Sequence, residues 1–283
     1  MRADTLDTVK PPTLRPVRRA TTAIAIGALV VLGTSGCAKD PTRAEPERIP
    51  AAPTSTATTD PAAAPTLIAT AKQGVAQVVV HSSPAGPVER LDIEENGALR
   101  DVSIASPTEA KVRAVFLLKQ RGLKAADGSL WDEVYLPVRP NGSTGWIADG
   151  DVEVTSTTLS IAISLGSHTL TLKKAGVVVK TYPVAVGTAQ NPTPVGRYFV
   201  KELVSPDNPH GAYGPLAYGL SGHSPTIKDS AEFADGVIAV HGTDHPELIG
   251  QNVSHGCIRL KSEDVLDLRA QGIPLGTPVT IAA

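Results

Sequence analysis

Val253-Ser254-His255-Gly256-Cys257-Ile258-Arg259-Leu260 decides the reading of this chain, together with Ile238-Ala239-Val240-His241-Gly242-Thr243 upstream. Cys257 is one of two cysteines in 283 residues and the only one in the globular part. At an ordinary pKa near ~8.5 a thiol is only a few per cent ionised at neutral pH, so a nucleophilic cysteine needs a base. His241 stands sixteen positions earlier, at the end of the apolar run Val237 to Val240. Such a run predicts a buried strand. The intervening Gly242 to Val253 has the Gly, Asp, Pro and Asn content of a loop. Two neighbouring strands joined by that loop would set the imidazole against the sulfur. Gly256 permits a sharp turn, which brings consecutive backbone N–H groups to a developing oxyanion and lets substrate approach the main chain. The Ser254 hydroxyl is placed to hold that turn.

His241-Gly242-Thr243 followed by Ser254-His255-Gly256-Cys257-Ile258-Arg259-Leu260 resembles the signature of the L,D-transpeptidase catalytic domain, the YkuD-type family. The resemblance runs from about Leu159 to Ile281. It departs at Arg259, where many members carry Asn. It implies acyl transfer on peptidoglycan, with stem tetrapeptides as donor and acceptor, no cofactor and no metal. Cys257 would be the nucleophile and His241 the proton acceptor and donor, oriented by the backbone carbonyl of Gly242. The N–H groups of Gly256, Cys257 and His255 would receive the oxyanion. Tyr213 and Tyr218, in a flap over the groove, would contact substrate with Ser254 and Arg259. A hydrolase on the same domain, with water as acceptor, is the alternative. An Arg259 that ties the cysteine loop to its scaffold is equally open.

Two readings of the same residues compete. A lone cysteine is often a buried small hydrophobe. His241, His245, His255 and Cys257 are also a zinc-compatible set, although His241 and His245 show no helical period that would place them on one face.

Gly and Pro number 25 and 24, and the protein holds two tryptophans. That composition favours β-rich, turn-rich domains over a helical bundle. The chain has 26 basic and 28 acidic residues; the first 36 residues account for five and two of them, which leaves 21 against 26, a net of −5. A mildly acidic surface argues against nucleic acid as a partner. A monomer is expected.

Arg15, Arg18 and Arg19, the uncharged run Ala20 to Gly33, and Thr34-Ser35-Gly36-Cys37 read as an export signal over 1–36. The run is shorter than the ~20 residues of a spanning helix. Cys37 resembles the lipidated first residue of a lipoprotein, with Thr34 where leucine is usual. A disulfide to Cys257 is a weaker use for either cysteine. The expected location is the cell envelope, lipid-anchored on the outer face of the cytoplasmic membrane. Residues 37–66 alternate Pro with Ala and Thr and read as a disordered tether. A flexible coil of that length reaches ~30 Å, and an extended polyproline form ~90 Å.

The fold class is mostly β. Residues 67–155 are expected to form an SH3-like small β-barrel domain. Val75 to Val80, Val112 to Leu118, Val134 to Leu136 and Gly145 to Ile147 read as its strands, and Trp131 to Ile147 resembles the end of bacterial SH3-like wall modules. Trp131 and Trp146 there serve either wall contact or packing. Residues 158–283 are expected to form a YkuD-type β-sandwich catalytic domain with one or two short helices. Leu159, Ile161, Ile163 and Leu165 alternate with small polar residues. Pro183 predicts an edge strand or a bulge. Residues 205–225 read as one long loop. Ser262 is the expected N-cap of a helix closed by Gly272. His81, His168, His210 and His223 read as ordinary surface or loop residues.

Overall fold

A computed structural model describes residues 64–227 and 236–283. The expected export signal, Cys37 and the tether up to residue 63 lie outside the described residues. The described chain belongs to one compact unit in which two β-modules each build a core.

The first module contains β1 (Thr66–Ala71), β2 (Gln77–Val79), β3 (Arg90–Leu91), β4 (Arg100–Asp101), β5 (Ser103–Ala105), β6 (Val115–Lys124), β7 (Leu130–Tyr135), β8 (Thr144–Ala148) and β9 (Val152–Thr157). Five of them form an antiparallel sheet in the order β8-β7-β6-β1-β9. β8 and β9 are opposite edges, yet only the turn Asp149–Asp151 separates them. That link spans at most ~14 Å, whereas four strand spacings of a flat sheet need ~19 Å. The sheet therefore curls. Ala114, Phe116 and Leu118 point into its core with Val78, Val134 and Ile147. The alternate residues Val115 and Leu117 meet Phe199 of the second module instead. A strand buried on both faces explains why Val115 to Leu118 is apolar without alternation.

The second module contains β10 (Leu159–Ser164), β11 (Thr169–Lys174), β12 (Val177–Pro183), β13 (Val186–Gly187), β14 (Gly196–Val204), β15 (Ala217–His223), β16 (Val237–His241), β17 (Asn252–Ser254), β18 (Ile258–Arg259), helix α1 (Ser262–Ala270) and β19 (Pro278–Ala282). Eight strands form one sheet in the order β12-β11-β10-β19-β14-β15-β16-β18. The layering expected of a sandwich arises inside this single sheet. β14 pairs with β19 through Gly196 to Phe199, and with β15 through Val200 to Val204. Leu170, Leu172 and Tyr182 from one end of the sheet share a core with Ile238, Val240 and Ile258 from the other. Only a sheet rolled about β14 brings them together. Each such side chain contributes about 2 kcal/mol on leaving water.

β12 is the outer strand and ends at Pro183, where a missing N–H costs no ladder bond. Helix α1 seals the core with Val265 and Leu268. Ser262 is its first residue rather than its cap; the cap is Lys261, and the Ser262 hydroxyl donates to Thr243 O at 3.3 Å. The loop expected over 205–225 ends at Leu216, because Ala217 to His223 is β15.

Candidate active site

β16 and β18 run parallel, with Val240 opposite Ile258 and His241 opposite Arg259. Paired residues of parallel strands share a face. Val240 and Ile258 point into the core, 1% and 0% exposed. His241 and Arg259 therefore emerge on the opposite face. Cys257 directly precedes β18, and one step back along the register lies Ala239, whose backbone N–H is near enough to the sulfur to favour its thiolate. Ala239, His241, Cys257 and Arg259 thus form a patch on the face away from the core. Leu260 N–H donates to His241 O at 2.8 Å and extends the pairing past the histidine.

His241 is 3% exposed and its Nδ1 lies 2.6 Å from Gly242 O. A carbonyl only accepts, so Nδ1 carries the hydrogen and Nε2 of the neutral ring is left with a lone pair. Burial pushes the His241 pKa down to about 4, which outweighs the help of the Gly242 carbonyl; the Arg259 charge adds to the depression. Burial also raises the Cys257 thiol above its ordinary value, while the Ala239 N–H and Arg259 oppose that rise. At neutral pH the resting pair is a neutral thiol and a neutral imidazole.

Tyr213 lies against the histidine, its ring 4.9 Å from the imidazole centre and tilted by 51°. That approach needs two glycines. Gly214 sits at φ +61°, and a Cβ there would lie 2.7 Å from the Gly242 Cα; one on Gly242 would lie 3.0 Å from the Gly214 Cα. The two main chains touch where neither residue carries a side chain.

The cysteine loop is held by Ser254. Its hydroxyl donates to Cys257 O at 2.6 Å and accepts from Gly256 N–H at 3.1 Å, with Gly256 at φ +116°. Gly256 N–H is thus occupied inside the loop. Ser254 is 1% exposed and both hydroxyl functions face the loop, so it positions the turn. The loop is further fixed by β17 against β13, and by Ala185 and Arg259, which exchange N–H···O bonds at 2.9 and 2.8 Å. The side-chain Nε of Arg259 is buried and has no hydrogen-bond partner among the described residues.

Residues 159–281 match the family model described as L,D-transpeptidase catalytic domain, YkuD. The YkuD protein of Bacillus subtilis is 40% identical over 121 residues, a match covering 43% of this chain. The chain spans 64% of the length of that relative. The YqjB protein of Bacillus subtilis is 33% identical over 160 residues, covering 51% of this chain and 78% of YqjB. The chain belongs to the YkuD-type L,D-transpeptidase family. Among solved structures, L,D-transpeptidase 3 from Mycobacterium tuberculosis aligns with 60% of this chain and 92% of its own, at 17% identity and a TM-score of 0.36.

In this L,D-transpeptidase family member a groove of about 300 Å³ meets the patch at Ala239 and is lined also by Glu202, Val204, Tyr213, Ala217 and Val237. Beside Cys257 a hollow of about 10 Å³ is walled by Ser224, Ile227, Gly236, Val237, Ile238 and His255. Tyr213 lines the groove. Tyr218 does not: it is 2% exposed, pairs with Val240 in the sheet and packs in the core. Strand alternation turns it away from the groove. His223 is likewise no surface residue; it is 4% exposed at the end of β15, and burial with the Lys201 and Arg139 charges pushes its pKa down to about 3. Trp131 is buried, with its Nε1 donating to Ser129 Oγ at 2.7 Å. His241, His245, His255 and Cys257 do not converge; no group of three or more potential metal ligands occurs among the described residues. The Ala239 N–H was not expected at the sulfur. Only the parallel register reveals it, because backbone donors leave no mark on residue type.

Proposed function

We propose that this chain is a peptidoglycan L,D-transpeptidase forming 3→3 cross-links through a cysteine thioester. The observation that carries the reading is the shared face of His241 and Cys257, with His241 Nδ1 committed to Gly242 O and Nε2 left as the base. Cys257 Sγ attacks the carbonyl on the L-centre side of the terminal L,D peptide bond of a donor stem tetrapeptide. The S–C bond forms, the C–N bond breaks, and the thiol proton passes through His241 to the departing D-alanine amine. A side-chain amine of an acceptor stem, diaminopimelate on this reading, then attacks the thioester. The N–C bond forms, the S–C bond breaks, and the proton released by the amine returns to sulfur through His241.

A neutral resting pair suits this order, because charge develops only as the proton moves. With Gly256 N–H engaged in the loop, the Cys257 N–H is the oxyanion donor on this reading. The unpaired Nε of Arg259 supports a contact to a stem carbonyl or carboxylate, since a buried donor without a partner costs ~1–3 kcal/mol until one arrives. Tyr213 and the groove beside it hold the donor stem. No cofactor enters any step.

The wider organisation belongs to the same proposal. An export signal, lipidation at Cys37 and a spacer over 37–66 would hold a monomer at the outer face of the cytoplasmic membrane. The SH3-like reading of the first module is supported by its curled antiparallel sheet. Radiolabelled palmitate incorporated by the wild type and lost in Cys37→Ala tests the anchor.

Incubation of the exported part of the chain with a carbapenem is expected to give a covalent mass adduct that is absent from Cys257→Ala. A folded protein that forms no adduct would count decisively against the assignment. Wall digests from cells with and without the gene separate the two acceptors. Lower 3→3 dimer content in the deletion supports an amine acceptor, whereas unchanged dimers with altered tripeptide content indicate water.

A further inference from the structure

We propose that Arg139 and Asn141 of the first module are positioning residues for the cysteine pocket, so that part of the active-site wall is set by the other module. They lie on the connection between β7 and β8, 80 to 90 positions from what they hold. Arg139 Nη1 donates to Ser224 O at 2.8 Å and Nη2 to Ile227 O at 2.9 Å. Asn141 Nδ2 donates to His223 O at 2.7 Å, while His223 N–H donates to Asn141 Oδ1 at 2.8 Å. Four hydrogen bonds thus run from one short loop to the single segment 223–227.

That segment is where the chain leaves β15 after a register shift; its last contacts to the β16 side are His223 opposite Val237 and Ser224 N–H to Gly236 O at 2.7 Å. Ser224 and Ile227 are two of the residues walling the hollow beside Cys257. Two of its N–H groups are satisfied within the segment: Ser224 Oγ accepts from Thr226 N–H at 3.3 Å and from Ile227 N–H at 3.2 Å. Its carbonyls at 223, 224 and 227 look outward, and the first module supplies their donors. The Arg139 side chain is 8% exposed, with Glu95 Oε2 3.6 Å away. A guanidinium is not buried to this degree without firm acceptors. Its planar fork spans two carbonyls at once, which an ammonium does not. The Asn141 pair copies the donor–acceptor exchange of a ladder residue and continues the pairing that β15 gives up.

The consequence for acyl transfer rests on the thioester reading, so the test carries a readout that does not. The exported part of the chain is compared with Arg139→Gln, Arg139→Lys, Asn141→Ala and Val115→Ala. The last weakens the apolar seam between modules without touching segment 223–227. Three rates are measured below every variant's melting temperature: acylation by a carbapenem, alkylation by a bulky aryl maleimide, and alkylation by iodoacetamide. Arg139→Gln and Asn141→Ala are expected to slow both bulky reactions about tenfold and iodoacetamide less than twofold. Arg139→Lys should fall between, and Val115→Ala should lower the melting temperature while leaving all three rates within twofold. Wild-type rates in Arg139→Gln and Asn141→Ala overturn the proposal, as does a loss in all four variants that simply tracks melting temperature. If Arg139→Gln does not fold, Asn141→Ala, whose side chain is at the surface, decides alone. A wild type that reacts with both thiol reagents but never with the carbapenem sinks the acyl-transfer reading and leaves the maleimide comparison to judge the wall.

Discussion

Two corners of the β15–β16 pair each bury a nitrogen base against backbone carbonyls, and they do opposite things with it. At one corner His241 leans on the carbonyl of the very next residue, at 2.6 Å. At the other, Arg139 reaches two carbonyls more than eighty positions away, at 2.8 and 2.9 Å. The imidazole is kept neutral by burial, so it can take a proton. The guanidinium offers donors and no acceptor, so it can only hold. Chemistry is placed where the bond is local and the charge is movable. Architecture is placed where the bond is long-range and the charge is fixed.

The sharpest way to break the contrast is to remove the movable proton. Cys257→Ala should abolish acylation, and His241→Gln should reduce it about 10³-fold or more, read by adduct mass against time. Acid separates the corners next. His241 and His223 fold with pKa values pushed to about 4 and about 3, below the 6.5 of a free histidine. A depressed pKa gives stability that is complete above the unfolded value and lost as pH falls toward the folded one. Each histidine should therefore cost about 3 kcal/mol of stability between pH 7 and pH 4, seen as a falling urea midpoint. Replacing His223 with Asn should flatten that slope by about half, and an unchanged slope would show that His223 is not excluded from protonation.

Gly214→Ala comes third. Its Cβ would press on the Gly242 main chain at 2.7 Å from a left-handed backbone. A loss of ~1–3 kcal/mol in thermal stability is expected, with slower acylation because Tyr213 is displaced from His241. The smallest effect belongs to Arg259. Its charge lowers the Cys257 thiol, so Arg259→Gln should raise that pKa further. Iodoacetamide alkylation at pH 7 should slow about two- to fivefold, on the scale of ~0.5–1 kcal/mol for a partly exposed charge. A faster reaction would mean that Arg259 does not face the sulfur.

The same contrast explains what could be seen in the sequence. Cys257 and His241 sit in two short stretches with apolar runs attached, so residue type and spacing carry them, while the Gly242 carbonyl follows from the family resemblance alone. Period-two alternation also carries β10 and β11. β15 was missed because its neighbours demanded small residues. A Cβ on Gly219 would meet Glu202 at 2.6 Å, and one on Gly222 would meet Tyr198 at 2.5 Å. Close strand crossings thus wrote Gly, Ser and His into a buried strand, which reads as loop. Tyr218 was placed on the flap by the same error. That Ser254 Oγ accepts from Gly256 N–H is not legible either, because no sequence signal says which donor a serine two residues back will claim. Arg139 carried no signal, since its acceptors are main-chain atoms on a distant segment.

The rolling of two cores against one strand has a practical consequence for anyone trimming this protein. A fragment starting at Leu159 would keep every residue of the thiol chemistry yet bare Phe199 and Leu275, which β6 now covers with Val115 and Leu117. It would also strip the carbonyls at 224 and 227 of their donors. Inhibitor screens run on such a fragment would be hunting against a loosened target.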